Sequence, residues 1–135
     1  MWLFFPFGFV SVVQKPSDPK GVLCVRARDR KSLEQLGRQM SALGPIEETW
    51  GTDYPFRARV DGLEFGRFVS AYLAGLDVPN FKDAATEQHG VAYHDACFDV
   101  WEAMTRIAPR KPYARKPPSG AIGVQTPSRS VRGAE

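Results

Sequence analysis

The first thirteen residues, MWLFFPFGFVSVV, carry no charged side chain, and this limits what the start of the chain can become. A secretory signal needs an early positive charge and a small-residue cleavage site, and the stretch has neither. A membrane-spanning helix needs about 20 apolar residues, which is more than this run provides. Pro6 and Gly8 interrupt the run, and its phenylalanines and valines favour an extended chain. The sequence therefore predicts an opening strand in a cytoplasmic protein that has no membrane anchor.

Both faces of this predicted strand are apolar. One face would carry Leu3, Phe5, Phe7, Phe9, Ser11 and Val13, and the other Trp2, Phe4, Val10 and Val12. Such a strand needs either another element of the chain or a partner over its second face. The candidate interface residues are Trp2, Phe4, Phe5, Phe7 and Phe9.

Alternation and helical spacing predict the other elements. They are a strand over 22–28, a helix from Asp29 or Ser32 to Gly44-Pro45, strands over 46–50 and 54–60, a helix over 63–76 and a last helix over about 81–107. The last helix is expected to be buried on more than one side. This order predicts a single α+β domain over residues 1–108, a ferredoxin-like-related ββαββα(α) sandwich in which helices back an antiparallel sheet.

Charge divides the chain into two parts. Residues 109–135 hold six basic groups and one acidic group, a net charge of +5, whereas residues 1–108 hold twelve and fourteen, a net charge of −2. The C-terminal part is rich in Pro, Gly and Ser without apolar periodicity, which predicts a disordered basic tail. Its segment KPYARK has the composition of a weak, salt-sensitive contact to phosphates. The candidate nucleic-acid contacts are Arg110, Lys111, Arg115 and Lys116.

The stretch PFGFVSV (6–12) shares four positions with the RNA-recognition signature K/R-G-F/Y-G/A-F-V-x-F/Y. These are Phe7, Gly8, Phe9 and Val10. The basic residue, the first glycine and the last aromatic residue of the signature are missing. The signature also belongs on a central strand, whereas this stretch begins the chain. Packing in a core or at an interface is therefore the preferred interpretation.

Patterns for catalysis and metal binding are weak. Cys24 and Cys97 lie in apolar runs and are expected to be reduced core thiols. His94 and Cys97 share a helix face, but His89 lies about 140° around the axis from His94, so the three do not converge on a metal. The chain has no nucleotide-binding glycine loop, hydrolase elbow or metalloprotease motif. We expect no metal and no cofactor.

Three stretches carry a resemblance to known proteins: MWLF with GFVSVVQKP at the start, GPIEETWGTDYPFRARV in the middle, and NFKD followed by Tyr93-His94 and Val100-Trp101. Over about residues 1–107 the chain resembles a family of small bacterial proteins of unassigned function. The resemblance implies no activity, ligand or catalytic residue. It indicates a candidate polar patch, formed if the last helix folds over the second hairpin. The members of this patch are Asp53, Tyr54, Asn80, Lys82, Tyr93 and His94.

Surplus apolar surface favours a non-enzymatic interaction module that binds a protein partner or itself, in an accessory, inhibitor or immunity-type role. One alternative is a nucleic-acid-binding protein that uses the basic tail and the sheet face. A second alternative is a small enzyme, which requires one pocket that contains Asp53, Tyr54, Lys82 and His94.

Overall fold

The computed structural model describes residues 1–107 of the 135-residue chain. These residues form β1 (Trp2–Phe5), β2 (Gly8–Val13), β3 (Val22–Ala27), α1 (Arg30–Gln39), β4 (Glu47–Glu48), β5 (Phe56–Asp61), α2 (Gly62–Ala74), α3 (Phe81–Gln88) and α4 (Val91–Met104), and a final 3-10 turn (Thr105–Ile107). The strands make one antiparallel sheet in the order β1-β2-β3-β5-β4. The predicted α+β class, an antiparallel sheet backed by helices, is confirmed.

Two further expectations concern the C-terminal tail and membrane-spanning helices. The predicted tail, with Arg110, Lys111, Arg115 and Lys116, lies outside the described residues. Within residues 1–107, none of the helices is long and apolar enough to cross a membrane.

Helices α1 and α2 cover one face of the sheet. Alternation in β3 and β5 turns Val25 and its cross-strand partner Ala58 toward these helices. Leu33 and Leu36 of α1 are fully buried against this face, and α2 contributes Phe65. The core therefore lies between one face of the sheet and these two helices.

The opening apolar stretch forms a hairpin, so the prediction of one long strand was wrong. Pro6 and Phe7 make a two-residue turn that places Phe5 opposite Gly8. This reversal changes which residues share a face: Phe5 and Phe7 are buried in the core with Val10 and Val12. Of the five predicted interface residues, three lie on the second face, namely Trp2, Phe4 and Phe9.

A close contact holds the opening hairpin against α1. Asp29 caps α1 by accepting a hydrogen bond from the Ser32 backbone N–H at 2.8 Å, and the buried Ser32 hydroxyl donates to Asp29 at 2.8 Å. The same hydroxyl accepts from the Phe9 N–H at 3.2 Å. Gly8 packs directly on Ser32, since a Cβ built at Gly8 would lie 2.5 Å from the Ser32 Oγ. This position therefore excludes a side chain.

The last helical stretch forms two helices rather than the predicted one. Gly90, with a φ of 110°, separates α3 from α4. The expectation that the last helix is buried on several sides was wrong, because α4 contains no buried residue. The hairpin of α3 and α4 is attached to the rest of the domain by a few polar contacts. The Tyr93 hydroxyl donates to the Phe5 carbonyl at 2.8 Å, and the His89 Nε2 lies 3.3 Å from the Asp29 carboxylate.

Candidate functional site

The second face of the sheet carries arginines along β3 and β5. Arg26 donates to the Ser11 hydroxyl at 2.8 Å, and its guanidinium lies 4.5 Å from the centre of the Tyr54 ring. Arg57 donates to the Tyr54 carbonyl at 3.2 Å, and Arg59 forms ion pairs with two carboxylates. These arginines are therefore engaged within the chain, and they frame the aromatic end of the face.

An open space lies between that aromatic end and the α3–α4 hairpin. A pocket of about 220 Å³ separates α4 from the sheet, and a pocket of about 530 Å³ separates β1 from the start of α3. The two pockets adjoin, because Phe4, Cys97 and Val100 line both. We call the combined space the aromatic cleft. Its principal lining residues are Trp2, Phe4, Phe81, Cys97, Val100 and Trp101.

The large side chains of the aromatic cleft are in contact with solvent. Trp2 is 60% exposed, Trp101 is 57% exposed and Phe4 is 36% exposed. Lys82 lies at the rim, where its ammonium is 4.9 Å from the centre of the Trp101 ring and 4.6 Å from that of Phe98. Exposed apolar surface that is contiguous and edged by polar groups is typical of an interaction site.

Two titratable groups beside the aromatic cleft, the Tyr93 hydroxyl and the Cys97 thiol, have raised pKa values. Burial raises the pKa of the Tyr93 hydroxyl well above its usual range, and the neighbouring Cys97 adds to this increase. Burial also raises the pKa of the Cys97 thiol, while its hydrogen bond to Tyr93 acts in the opposite direction. A thiol held protonated is a poor nucleophile. Cys97 therefore does not provide an activated thiolate to the aromatic cleft.

The structure brings four residues of the candidate polar patch to the aromatic cleft. Tyr54 and Tyr93 line its smaller pocket, and Asn80 and Lys82 line its larger one. Asn80 has a local role as well, because its side chain caps α3 by accepting from the Lys82 N–H at 3.0 Å. These four residues belong to two adjoining pockets rather than to one polar site.

The other two residues of the patch lie apart from the aromatic cleft. Asp53 is exposed in the connection between β4 and β5, and the His94 ring pairs with its neighbour Asp95 at 2.9 Å. Neither Asp53 nor His94 lines either pocket of the cleft. The aromatic cleft therefore does not supply the single pocket that the enzyme alternative requires. Among residues 1–107, no three His, Cys, Asp or Glu side chains are grouped so as to hold a metal ion.

Sequence reasoning noted Phe81 only within the NFKD stretch and did not assign Trp101 to a site. Trp101 lies beside the apolar stripe that runs through Tyr93 and Val100, and there it indicated a helix buried on more than one side. The available signal was the tryptophan itself. Trp101 and its neighbour Phe98 form an exposed aromatic pair on α4, and contiguous exposed aromatic surface indicates a candidate interaction site.

No protein-family model, curated protein or solved structure matches the chain. The resemblance to small bacterial proteins and the relation to the ferredoxin-like sandwich therefore stay predictions. Function has to be argued from the aromatic cleft alone.

Proposed function

We propose that the protein is a non-enzymatic interaction module that binds a protein partner through the aromatic cleft. The observation that supports this proposal is the grouping of Trp2, Phe4 and Trp101, all solvent-exposed, around one open space. Aromatic residues are enriched at protein interfaces and supply most of the binding energy there. Leaving such side chains in water brings no stability to the isolated domain, whereas burying them against a partner is favourable.

The protonated state of two groups beside the cleft supports binding over catalysis. Tyr93 and Cys97 both have raised pKa values, so neither provides a base or a nucleophile near neutral pH. Charged groups lie at the edges of the cleft: Lys82 stacks against aromatic rings at the larger pocket, and Arg28 and Asp29 line the smaller one. A surface that is apolar at its centre and charged at its rim has the anatomy of a protein–protein interface.

The proposal is tested by comparing three tagged full-length proteins. The first is the wild type, the second combines Trp2→Ser with Trp101→Ser, and the third is Trp50→Ser. Trp50 is a matched control because it is 71% exposed but lies in the β4–β5 connection, away from the pockets of the cleft. Each protein is used to capture and cross-link partners from an extract of the source cells, and captured proteins are quantified by mass spectrometry.

We expect at least one protein that the wild type and Trp50→Ser capture equally and that the double variant loses by tenfold or more. Its purified form should then bind the wild type in calorimetry and fail to bind the double variant. The same captured set for all three proteins would contradict the proposal. Self-association through the cleft would appear instead as a concentration-dependent mass in sedimentation that the double variant loses.

A second candidate function is binding of single-stranded nucleic acid on the second face of the sheet. The observation that favours it is the position of Arg28, which is exposed and lies 5.3 Å from the centre of the Tyr54 ring, itself beside Phe9. Aromatic rings with neighbouring guanidinium groups are the usual platform for stacking bases. The net charge of −2 on residues 1–108 works against this function, so the basic residues after Ala108 would have to contribute.

Electrophoretic shift of a 20-nucleotide RNA at low and moderate salt tests this candidate. Binding should weaken with Arg28→Ala and with glutamine in place of Arg110, Lys111, Arg115 and Lys116. A salt-independent shift, or one unaffected by both changes, would contradict it.

A further inference from the structure

Strand β1 has a free edge. It is the outermost strand on its side of the sheet, and Met1 and Val12 exchange two backbone hydrogen bonds of 2.7 Å each. In an antiparallel pair such bonded positions alternate, so Leu3 is the next residue bonded across to β2. The N–H and C=O groups of Trp2 and Phe4 therefore point away from the sheet. Among residues 1–107, no backbone or side-chain group outside the sheet pairs with them.

Pockets lie beside this edge on both faces of the sheet. Phe4 lines both pockets of the aromatic cleft and also a third pocket of about 230 Å³ on the helix-covered side. The third pocket is apolar and lies between β1 and the end of α2, with Leu73, Leu76 and Val78 in its wall. Because the side chains of a strand alternate between the faces of a sheet, an added strand would place alternate residues in the cleft and in this third pocket.

We propose that the aromatic cleft binds an extended segment of a partner protein, which adds to the sheet as a strand paired with β1. This inference rests on the proposed function and specifies how the partner is recognised. Backbone hydrogen bonds to Trp2 and Phe4 provide pairing, and the pockets on the two faces select alternating apolar side chains.

The charge of Lys82 and the position of α3 beside β1 restrict which segments can bind. Lys82 has no carboxylate partner among residues 1–107, so the segment carries an acidic residue where it passes the rim of the cleft. Phe81 of α3 lies beside the same edge and lines both the larger pocket and the third pocket. Beside α3, an extended segment needs less room than the sheet of a second folded copy does.

A matched pair of variants isolates the backbone contribution. Trp2→Ala and Trp2→Pro both remove the indole ring, but only proline also removes the outward N–H, and an edge strand tolerates proline at such a position. A phage-displayed library of random dodecapeptides is selected on the full-length wild type. The strongest peptide is then synthesised and its binding to the wild type and to both variants is measured by fluorescence anisotropy.

We expect selected peptides that alternate apolar residues and contain an Asp or Glu. Their affinity should be at least tenfold lower for Trp2→Pro than for Trp2→Ala. Two N-methylated peptides are compared, one methylated at the odd-numbered backbone nitrogens and the other at the even-numbered ones. One should lose binding and the other should bind within about threefold of the unmodified peptide, because only one edge of an added strand faces β1. The bound state should also protect the Trp2 and Phe4 amides from hydrogen exchange.

The outcomes separate this inference from the proposed function. If the cleft variants lose their captured partner but Trp2→Pro binds peptides as well as Trp2→Ala does, the interaction module stands and strand addition is wrong. Selected peptides with helical spacing, or an absence of selected peptides, also overturn strand addition. A dimer that Trp2→Pro abolishes in sedimentation overturns it as well, because the occupant would then be a second copy of this chain.

Discussion

Gly8 shows how one residue sets the distance between two elements. Sequence reasoning singled it out as part of an RNA-binding signature, but in the structure its role is contact with Ser32 of α1. The buried Ser32 hydroxyl joins the Asp29 cap to the Phe9 N–H, so the absence of a side chain at Gly8 lets β2 reach this network. No periodicity argument reveals such a requirement, because it depends on which helix crosses which strand.

We expect Gly8→Ala to destabilise the protein by about 1–3 kcal/mol, since the added methyl overlaps the Ser32 backbone and side chain and the φ of 154° disfavours it. Gly66→Ala is the matched control. Gly66 is exposed within α2 and a Cβ there meets no heavy atom within 4 Å, so alanine should stabilise the helix by about 0.5–1 kcal/mol. Urea unfolding measures both free energies. Equal effects of the two substitutions would contradict the close contact.

At the scale of elements, the middle of residues 1–107 was predictable, whereas the opening hairpin and the α3–α4 hairpin were not. Strands β3 and β5 and helices α1 and α2 follow from alternation and helical spacing, because each combines an apolar face with a more polar one. The opening hairpin lacks that contrast, since apolar residues lie on both of its faces. Its turn at Pro6 and Phe7 is itself buried, so polarity did not mark it.

The break between α3 and α4 was missed for a related reason. In the sequence, the helical spacing of apolar residues continues through Tyr93 and Val100, and Gly90 does not interrupt it. The positive φ of Gly90 turns the chain, which brings Tyr93 to the Phe5 carbonyl. The aromatic cleft exists because of this turn, so its position could not be derived from either helix alone.

Tyr93→Phe should loosen the α3–α4 hairpin and cost about 1 kcal/mol, because it removes the hydrogen bond to the Phe5 carbonyl. Tyr72→Phe is the control at pH 8, since its hydroxyl makes no hydrogen bond within residues 1–107. Both stabilities are measured by urea unfolding.

The effect of Tyr93 also depends on pH. Burial raises the pKa of its hydroxyl in the folded state, so its contribution is complete below the usual tyrosine pKa of about 10 and is lost as the pH rises above that value. The wild type should therefore lose stability between pH 9 and 11 more steeply than Tyr93→Phe. Parallel pH profiles of the two proteins would show that Tyr93 is not buried as described.

At the scale of the whole molecule, the two cysteines differ in their exposure to solvent. Cys24 has no exposed surface, whereas Cys97 is partly exposed in the lining of the cleft. The sequence does not separate them, because both lie in apolar runs. Cys24 lies on the central strand β3, which is paired on both edges, whereas Cys97 lies on α4, which has no buried residue. Their difference is therefore a property of the assembled fold.

We expect a thiol reagent such as Ellman's reagent to modify one cysteine of the native protein, and a second only after unfolding. The first should be Cys97, and Cys97→Ser should abolish the native reaction. Because burial raises the pKa of this thiol, it should react more slowly than free cysteine at pH 8, and its rate should still rise above pH 9. Rapid reaction of both cysteines in the native protein would contradict the burial of Cys24.

The free edge of β1 also bears on how the protein avoids aggregation. The segment WLFF has no charge, proline or bulge, which are the usual devices that stop edge strands from pairing between molecules. Phe81 of α3 lies beside this edge, so we expect the α3–α4 hairpin to hinder the approach of another sheet. A change that detached this hairpin would therefore endanger solubility before it affected the core.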